Sequence, residues 1–465
     1  MRHSLKSPWS GMQRVRVAAF AAAFVLAACH GSNLGDKQPR PQGTPQAGAA
    51  ATGDQGLKLP PGAVEVQPLN TGAAAAPPAA ASGAGENPQA VKVGLLLPLS
   101  GNSAPLGRAL LNSAELAVFE TAGKNFALLP RDTEGSPEGA ARAARAVLDD
   151  GAKLILGPLF AEEVLAVAPL ARSAGVNVIA FSTDERVAGE GVFLMGFLPR
   201  TQVKRIVVYA HAQGINRFAA VVPDTPYGQA IASLLRDTVG EAGASIAGIE
   251  SYNPAANNAA EVVRRLANYD SRHAALLAQR KQLEGKTDEV SRQALQRLQT
   301  QDTVGDVDFD AVMLPEGGER LLALAPLLPY YDIDPSRVRL LGTGLWDDPR
   351  VRKEPALLGG WYVAPDPNLR GDYDQRYAKL YDAPTPPRIA TLGYDAAALA
   401  AALAKSGGEA GFSAQALTNP NGFSGVDGIF RFNEDGRNER GLAVLEVHGD
   451  APTVMSPAPV SFATE

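Results

Sequence analysis

Cysteine and histidine are scarce in this chain of 465 residues. Cys29 is the only cysteine, and the five histidines are scattered. A single cysteine excludes an internal disulfide framework and any zinc site built from several thiolates. No stretch follows the GxxxxGKS, HExxH or GxSxG patterns, so the sequence offers no phosphate-binding loop, zinc-protease motif or nucleophile elbow. We therefore expect no enzyme, no metal centre and no cofactor.

Blocks of like charge are also missing. Lysine and arginine together number 43 and aspartate and glutamate 49, giving a net charge of −6 without a concentrated basic segment. Phosphate recognition needs clustered Lys and Arg, so nucleic acid is not an expected partner. The hydrophobic fraction of 45% and charged fraction of 20% are typical of a globular protein.

The first 29 residues have the features of a secretory signal. Arg14 and Arg16 precede an apolar stretch over 17–26 that is too short to span a bilayer but suits a signal peptide. The stretch ends Leu26-Ala27-Ala28-Cys29, which resembles the bacterial lipobox. That resemblance implies a signal peptide over 1–28, cleavage before Cys29 and lipidation of Cys29. The alternative is an ordinary signal peptide with an incidental cysteine.

Two further residues bear on where the chain starts and on which membrane it is sent to. Met12 would give a more compact signal than Met1, so either could be the start. His30 follows the cysteine, where an Asp favours inner-membrane retention of enterobacterial lipoproteins. The resemblance therefore implies a lipid-anchored protein facing the periplasm, in the outer membrane rather than the inner one.

Residues 29–88 have the composition of a linker. They are rich in Ala, Gly, Pro and Gln, contain no aromatic residue and carry few charges. Such a segment buries too little apolar surface to offset the entropy of ordering. We predict a disordered tether, either one that gives a membrane-anchored domain its reach or a spacer of no required length.

From residue 89 onwards short apolar runs alternate with helical patterns. The first run, Val91–Leu97, is closed by Pro98, Ser100 and Gly101 and leads into a helix over 106–122. Similar units follow up to about residue 200, and a second set begins at Phe218–Val222. Strands alternating with helices indicate parallel βαβ units, here in two lobes. Residues 259–301 interrupt the rhythm as a helical excursion, with a break predicted at Gly285.

Six short motifs stand out in this region: VGLLLPLSG (93–101), LILGP (154–158), IAFST (179–183), DTPYG (224–228), GYDAA (393–397) and GVDGIFRFNEDGR (425–437). Together they resemble the type I periplasmic binding proteins of the Leu/Ile/Val-receptor class. The resemblance implies an α/β domain over 89–465 with two Rossmann-like lobes, crossover strands and a ligand cleft between the lobes. We assign about 89–200 and part of 360–410 to lobe 1, and about 201–360 and 411–450 to lobe 2.

A narrower resemblance is to the penicillin-binding protein activators, lipoproteins that stimulate a peptidoglycan synthase. It rests on Gly157-Pro158-Leu159 followed by Val164, on the excursion, on DVDFDAVML (306–314) and on 321–331. It implies a non-catalytic envelope protein with a synthase as partner. The helical-repeat domain of well-studied members is absent from residues 30–88. The alternative is a lipid-anchored substrate-binding protein of an ABC importer for branched-chain amino acids or amides.

The resemblance to amino-acid receptors also implies cleft residues. Matching positions are Ser182 and Thr183 after a strand, Tyr227 in a turn, and Glu316 near an acidic position, with Ser100 at the end of the first strand. Hydroxyls suit a carboxylate and an acid suits an ammonium group. Helix capping is the competing role for Ser182 and Thr183, and packing between lobes for Tyr227.

One loop departs from that pattern. After Gly157-Pro158 the chain continues Leu159-Phe160-Ala161-Glu162-Glu163, where amino-acid receptors have a hydroxyl. Two acids there would repel an anion, so we expect weak binding of free α-amino acids.

The excursion is the predicted partner surface. It has four arginines that could contact an acidic patch, and the alternative is that they only solvate a helix. They are Arg264, Arg265, Arg272 and Arg280.

Overall fold

The computed structural model describes residues 90–381, 383 and 385–462. The predicted signal peptide, Cys29 and the tether lie outside these residues. In the described part, no helix combines the length and the hydropathy needed to cross a membrane.

The first lobe is built on a five-stranded parallel sheet of order β2-β1-β3-β4-β5. Its central strands are buried on both faces because their sequences are continuously apolar, as parallel sheets between helices require. Gly157 after β3 has φ +82°, and a Cβ there would lie 2.2 Å from the Leu96 carbonyl oxygen. The elements are β1 (Val91–Leu97), α1 (Ala104–Thr121), β2 (Phe126–Asp132), α2 (Pro137–Asp149), β3 (Leu154–Leu156), α3 (Ala161–Ser173), β4 (Asn177–Ala180) and β5 (Val192–Leu194).

The second lobe is built on a seven-stranded sheet. Residues 199–364 supply five of its strands and the helices between them. Its elements there are α4 (Pro199–Ala212), β6 (Arg217–Pro223), α5 (Pro226–Glu241), β7 (Ser245–Tyr252), α6 (Ala259–Leu266), α7 (Tyr269–Leu283), α8 (Glu289–Leu298), β8 (Ala311–Met313), α9 (Gly318–Leu324), α10 (Leu327–Tyr330), β9 (Arg339–Gly342) and β10 (Trp361–Ala364).

The rest of the chain is shared between the lobes. Its elements are α11 (Gly371–Tyr381), α12 (Ala390–Gly407), α13 (Ala414–Leu417), β11 (Phe423–Gly425), β12 (Gly428–Phe432), β13 (Asn438–Arg440), β14 (Ala443–Glu446) and β15 (Thr453–Ser456). Strands β14 and β15 pair antiparallel at one edge of the second sheet, whose order is β15-β14-β10-β9-β8-β6-β7. The chain therefore crosses between lobes after β5, after β10 and after β13.

The lobe boundaries differ from the predicted ones. Residues 411–440, assigned to lobe 2, pack on lobe 1: Phe430 and Phe432 share a core with α1 and α12. The side-chain amide of Asn438 donates to the carbonyls of Leu194 (2.7 Å) and Gly196 (2.8 Å). Strand β10 lies inside the second sheet, between β14 and β9. The aromatic side chains of β11 and β12 are covered by the first-lobe core, and burial of this apolar surface places these strands on lobe 1.

The helical excursion consists of three helices, α6 to α8, and we call residues 259–298 the helical insertion. The predicted break at Gly285 is present, with φ +85°, and a second break at Asn268 has φ +47°. Asparagine tolerates this left-handed conformation better than most residues, which is why a chain without a second glycine turns there. Helix α6 places Val262 and Val263 in the second-lobe core, whereas α8 has no buried residue.

Candidate ligand cavity between the lobes

A cavity of about 490 Å³ lies between the two lobes, beside the crossing segments. Ligands of open α/β sheets bind beyond the carboxyl ends of the strands, and the residues after β4 and β9 contribute to this cavity. Its walls are mainly apolar. They comprise Phe181, Thr183, Arg388, Ile389 and Leu392 from lobe 1, Gln202, Tyr227, Gly344, Leu345, Asp347, Val363 and Ala364 from lobe 2, and Phe197, Pro365 and Leu442 from the crossings.

Tyr227 presents a neutral phenol to the cavity. It lies in the first turn of α5, whose cap Thr225 accepts a hydrogen bond from the Gly228 backbone. The Tyr227 hydroxyl is 3.2 Å from the Thr343 hydroxyl. Burial, together with the nearby charge of Glu316, raises the pKa of Tyr227 to about 12. The phenol therefore stays protonated at physiological pH and can donate or accept a hydrogen bond.

An ion pair joins the lobes at the cavity wall. Arg388, just before α12, donates from Nε (3.0 Å) and Nη2 (2.5 Å) to Asp347 Oδ2, which follows β9 in the other lobe. Its Nη1 donates to Asp427 Oδ1 at 2.9 Å, and the Asp427 side chain is fully buried. Burial disfavours the charge of Arg388, but Asp427 and Asp347 outweigh burial and raise its pKa. The guanidinium is thus held in place and compensated.

A second buried pair lies behind the cavity wall. Asp395 of α12 accepts from the Val426 backbone at 2.7 Å, and its pKa is raised to about 7 by burial and by the neighbouring Asp427. Arg440 donates to the Met195 carbonyl at 2.8 Å and lies 4.8 Å from the ring centroid of Phe197, a cavity residue. Burial lowers the pKa of Arg440. The charged network therefore supports the wall that Phe197 presents.

Gln202 fixes the opposite wall. Its amide nitrogen donates to the Phe197 carbonyl at 2.9 Å, and its oxygen accepts from the Gly344 backbone at 2.7 Å. Both ends of this amide are satisfied inside the protein, so its role at the cavity is to position the crossing segment against the loop after β9.

The structure brings together two of the predicted cleft residues. Thr183 and Tyr227 line the cavity. Ser182 is buried, and its hydroxyl accepts from the Asp184 backbone at 3.1 Å, which stabilises the turn after β4; the residue that caps the following helical turn is Asp184. Glu316 is buried beside Tyr227 and accepts from the Tyr252 hydroxyl, but it does not line the cavity. Ser100 is exposed, and its backbone donates to Asp132 at 3.3 Å, away from the cavity lining.

The acids of the loop after Gly157-Pro158 do not line the cavity, so they do not supply the predicted repulsion there, and weak binding of free α-amino acids stays a prediction. Glu163 is buried and accepts from the Thr133 hydroxyl (2.7 Å) and from the Phe160 backbone (3.2 Å), which caps α3. Burial raises the pKa of Glu163. None of residues 159–163 lines the cavity. They therefore neither hold a ligand carboxylate nor repel one.

The predicted arginines of the insertion are engaged within the protein. Arg272, with a side chain only 10% exposed, donates to Gly305 and Asp332, and Arg280 donates to the Leu298 and Gln301 carbonyls at the end of α8. These contacts give Arg272 and Arg280 a structural role within the protein, and a partner surface on the insertion stays a prediction. Arg264 pairs with Asp270 and Arg265 with Glu250 in exposed ion pairs.

Sequence reasoning missed Arg388, Asp347, Asp427 and Gln202. Asp347 and its partner Arg388 are 41 residues apart in the sequence. Only the folded pairing of the two lobes brings them together, so no local signal could have found them. Among the described residues, no group of three or more histidine, cysteine, aspartate or glutamate side chains is arranged to hold a metal ion.

The family model described as "Periplasmic binding protein" matches residues 90–452. The chain therefore belongs to the periplasmic binding protein family, and its two lobes have the type I fold of that family. The narrower activator subclass is not resolved by this match.

Individual relatives are distant. An uncharacterized protein of Rickettsia prowazekii is 22% identical over 179 residues, 38% of this chain and 47% of that protein. The chain thus spans about half the length of this curated relative.

Solved structures share the fold. A branched-chain amino acid ABC transporter periplasmic ligand-binding protein of Burkholderia xenovorans is 15% identical, with 80% of this chain and 97% of that chain covered and a TM-score of 0.59. The branched-chain amino acid transporter substrate-binding protein of Streptococcus pneumoniae, in complex with isoleucine, is 19% identical (79% and 100% covered, TM-score 0.52). A solute-binding protein of an R. palustris ABC transporter, in complex with benzoate, is 18% identical (81% and 98%, TM-score 0.54).

Proposed function

We propose that this protein is a non-catalytic receptor of the cell envelope that binds a mainly apolar small molecule between its lobes. The observation that carries the proposal is the cavity of about 490 Å³ whose walls are apolar side chains and whose charged residues are already paired. Cavities of this size, with few polar groups among apolar walls, are typical of small-molecule sites. Delivery to an ABC importer is the role that the structural relatives suggest.

The cavity favours a branched-chain or aromatic body. Phe181, Ile389 and Leu392 supply its first-lobe wall, and Thr183 and Tyr227 supply hydroxyls. Burying such a body contributes about 1.5–3 kcal/mol. Branched-chain amino acids, their amides and small aromatic compounds are therefore the first candidates.

Calorimetry on the full-length protein tests this proposal. Leucine, isoleucine, leucinamide and benzamide are the probes, and we expect at least one to bind with a dissociation constant of about 100 μM or below, about −5.5 kcal/mol. Free amino acids should be the weaker ligands, because Arg388, the cation in the cavity wall, is already paired with Asp347 and Asp427 and is not free to receive a carboxylate. If none of the four probes binds, the receptor proposal is contradicted.

We also propose that the receptor is anchored by a lipid on Cys29 and reaches from the membrane on the tether of residues 29–88. The support is the Leu26–Cys29 string in a chain with no other cysteine. A Cys29→Ser variant should be released into the soluble periplasmic fraction or remain unprocessed. Fractionation with membranes, with the signal cleaved at the same bond, would contradict the anchor.

Activation of a peptidoglycan synthase is a second candidate function, favoured by the helical insertion. Two apolar side chains are exposed there, Leu277 (49%) and Val290 (74%), on helices α7 and α8 that add little to the core. Exposed apolar residues of this kind suit contact with another protein.

A paired substitution tests the second candidate. Leu277→Asp with Val290→Asp should leave the lobes folded and abolish stimulation of the synthase in a glycan-polymerisation assay. Phe119→Asp is the matched control, because Phe119 is 83% exposed on α1 in the other lobe. Stimulation that survives the paired substitution would exclude the insertion as the contact surface.

A further inference from the structure

A second cavity adjoins the first. It measures about 570 Å³ and shares Thr183 and Tyr227 with the inner cavity, so these two residues form the boundary between them. Its other walls come from the loop after β4 and from one face of α5. They are Asp184, Glu185, Arg186, Pro199, Arg200, Pro226, Gln229, Ala230, Ser233, Leu234 and Asp237.

The cations around both cavities already have carboxylate partners. In the outer cavity Arg186 pairs with Asp184 at 2.6 Å and Arg200 with Glu185 at 3.1 Å. In the inner cavity Arg388 pairs with Asp347 and Asp427. A ligand carboxylate entering either space would have to compete with these carboxylates, so the lining disfavours an anion.

One carboxylate of the outer cavity is uncommitted. Asp237 makes no ion pair or hydrogen bond with any residue in the described part of the chain, and the same holds for the hydroxyls of Thr183 and Ser233. These groups accept hydrogen bonds, and Asp237 adds an uncompensated negative charge. Together they suit an ammonium group.

The spacing along α5 sets the length of the ligand. Asp237 lies ten positions after Tyr227 on α5, and ten positions correspond to about 15 Å along a helix axis. A molecule whose apolar end fills the inner cavity must therefore be elongated to bring a charge near Asp237.

We propose that the cleft takes an elongated amphipathic amine, with its apolar body in the inner cavity and its ammonium group in the outer cavity near Asp237. This inference rests on the proposed receptor function and names the ligand class. The ligand passes between Thr183 and Tyr227, whose hydroxyls meet its polar linker. It carries no free carboxylate, because neither cavity offers an unpaired cation to receive one.

Two matched probes test the charge. N-(6-aminohexyl)benzamide and 6-benzamidohexanoic acid share an aromatic amide body and a similar chain but end in an ammonium and a carboxylate respectively. Calorimetry on the full-length protein should show the amine binding at least tenfold more tightly. Equal affinity, or tighter binding of the acid, would overturn the inference while leaving the receptor function intact.

A matched pair of variants tests the place of the ammonium. Asp237→Asn should weaken the amine about threefold to fivefold, the effect of one exposed charge, and should not weaken the acid, which loses a like charge near its carboxylate. Asp372→Asn removes an exposed acid of α11 in the other lobe and should change neither probe. Benzylamine, which is too short to reach the outer cavity, should be insensitive to both variants.

The remaining outcomes are also decisive. An amine preference that Asp237→Asn does not reduce would overturn the proposed position. If neither long probe binds while leucinamide or benzamide does, the receptor function stands and the elongated amine is excluded. If no probe of either set binds, both proposals fail.

Discussion

The interlobe cavity and the helical insertion are the two regions to which a function could be assigned, and they use their charges differently. At the cavity, Arg388 pairs across the lobes with Asp347 and is backed by the buried Asp427. In the insertion, Arg264 pairs with Asp270 on the surface, and Arg280 connects α7 to the end of α8.

The contrast separates a ligand site from a surface. Removing Arg388 from water is costly and is offset only because both acids are in place, so the cavity geometry depends on that network. The pairs of Arg264 with Asp270 and of Arg265 with Glu250 are solvent-exposed and therefore weak, so these two arginines give little evidence for a partner. The notable feature of the insertion is its two exposed apolar side chains, Leu277 and Val290.

The largest expected effect comes from breaking the interlobe network. Arg388→Met leaves Asp427 buried without its cation, which costs about 3–5 kcal/mol in comparable buried pairs. We expect a value near the lower end, since 22% of the Arg388 side chain is exposed. Urea unfolding of the full-length protein measures it.

A compensating variant makes that prediction specific. Arg388→Met combined with Asp427→Asn removes the stranded charge and should recover part of the lost stability. An unchanged urea midpoint for Arg388→Met alone would show that the network does not hold the lobes.

The next effect concerns occupancy of the cavity. Ile389 is half-buried and lines the inner cavity, so Ile389→Trp should fill it and weaken any cavity ligand by about 100-fold, roughly 2.7 kcal/mol. Leu277→Trp places the same side chain on the insertion and should leave binding unchanged. Calorimetry with the tightest of the small probes decides, and equal effects of the two variants would remove the distinction between the regions.

The pH dependence of stability tests the network behind the wall. Burial raises the pKa of Asp395 to about 7, with Asp427 and Arg440 as its charged neighbours. Between its unfolded pKa of about 4 and pH 7 the folded protein holds a proton that the unfolded chain releases. Asp395 therefore contributes a stability that is present at low pH and lost as pH rises towards 7, on the order of 2 kcal/mol.

Asp395→Asn should flatten that slope. Urea unfolding at pH 5 and pH 8 should give a smaller difference for this variant than for the unmodified protein, while Asp372→Asn keeps the original difference. If Asp395→Asn shows the full fall in stability, the proton is bound elsewhere.

Much of the fold could be predicted because short stretches of the sequence determine it. Continuous apolar runs such as Val91–Leu97 and the turn glycines after them mark buried parallel strands, and these strands are present at the predicted places. The lobe membership of 411–440 could not be predicted, since it depends on which distant core covers Phe430 and Phe432. The break at Asn268 was missed because the signal sought was glycine.

Only part of the candidate site could be predicted from the sequence, for the same reason. Thr183 and Tyr227 follow a strand and begin a helix, so their position at the sheet edges could be inferred from topology. Ser182 shares that edge, but it is buried and its hydroxyl accepts from the Asp184 backbone. Arg388 and Asp347 are joined only when the lobes meet, a contact between segments that carry no motif.

The smallest expected effect distinguishes the arginines within the insertion. Arg280 donates to the Leu298 carbonyl from both Nε (3.1 Å) and Nη2 (2.6 Å), so Arg280→Ala leaves the end of α8 without its donor and should cost about 1 kcal/mol. Arg264 is exposed and pairs with an exposed Asp270, so Arg264→Ala should give no measurable shift in the melting temperature. Thermal unfolding of the two variants side by side measures the difference. Equal melting temperatures would mean that α7 and α8 do not depend on Arg280, and the insertion's arginines would then be available to a partner as first predicted.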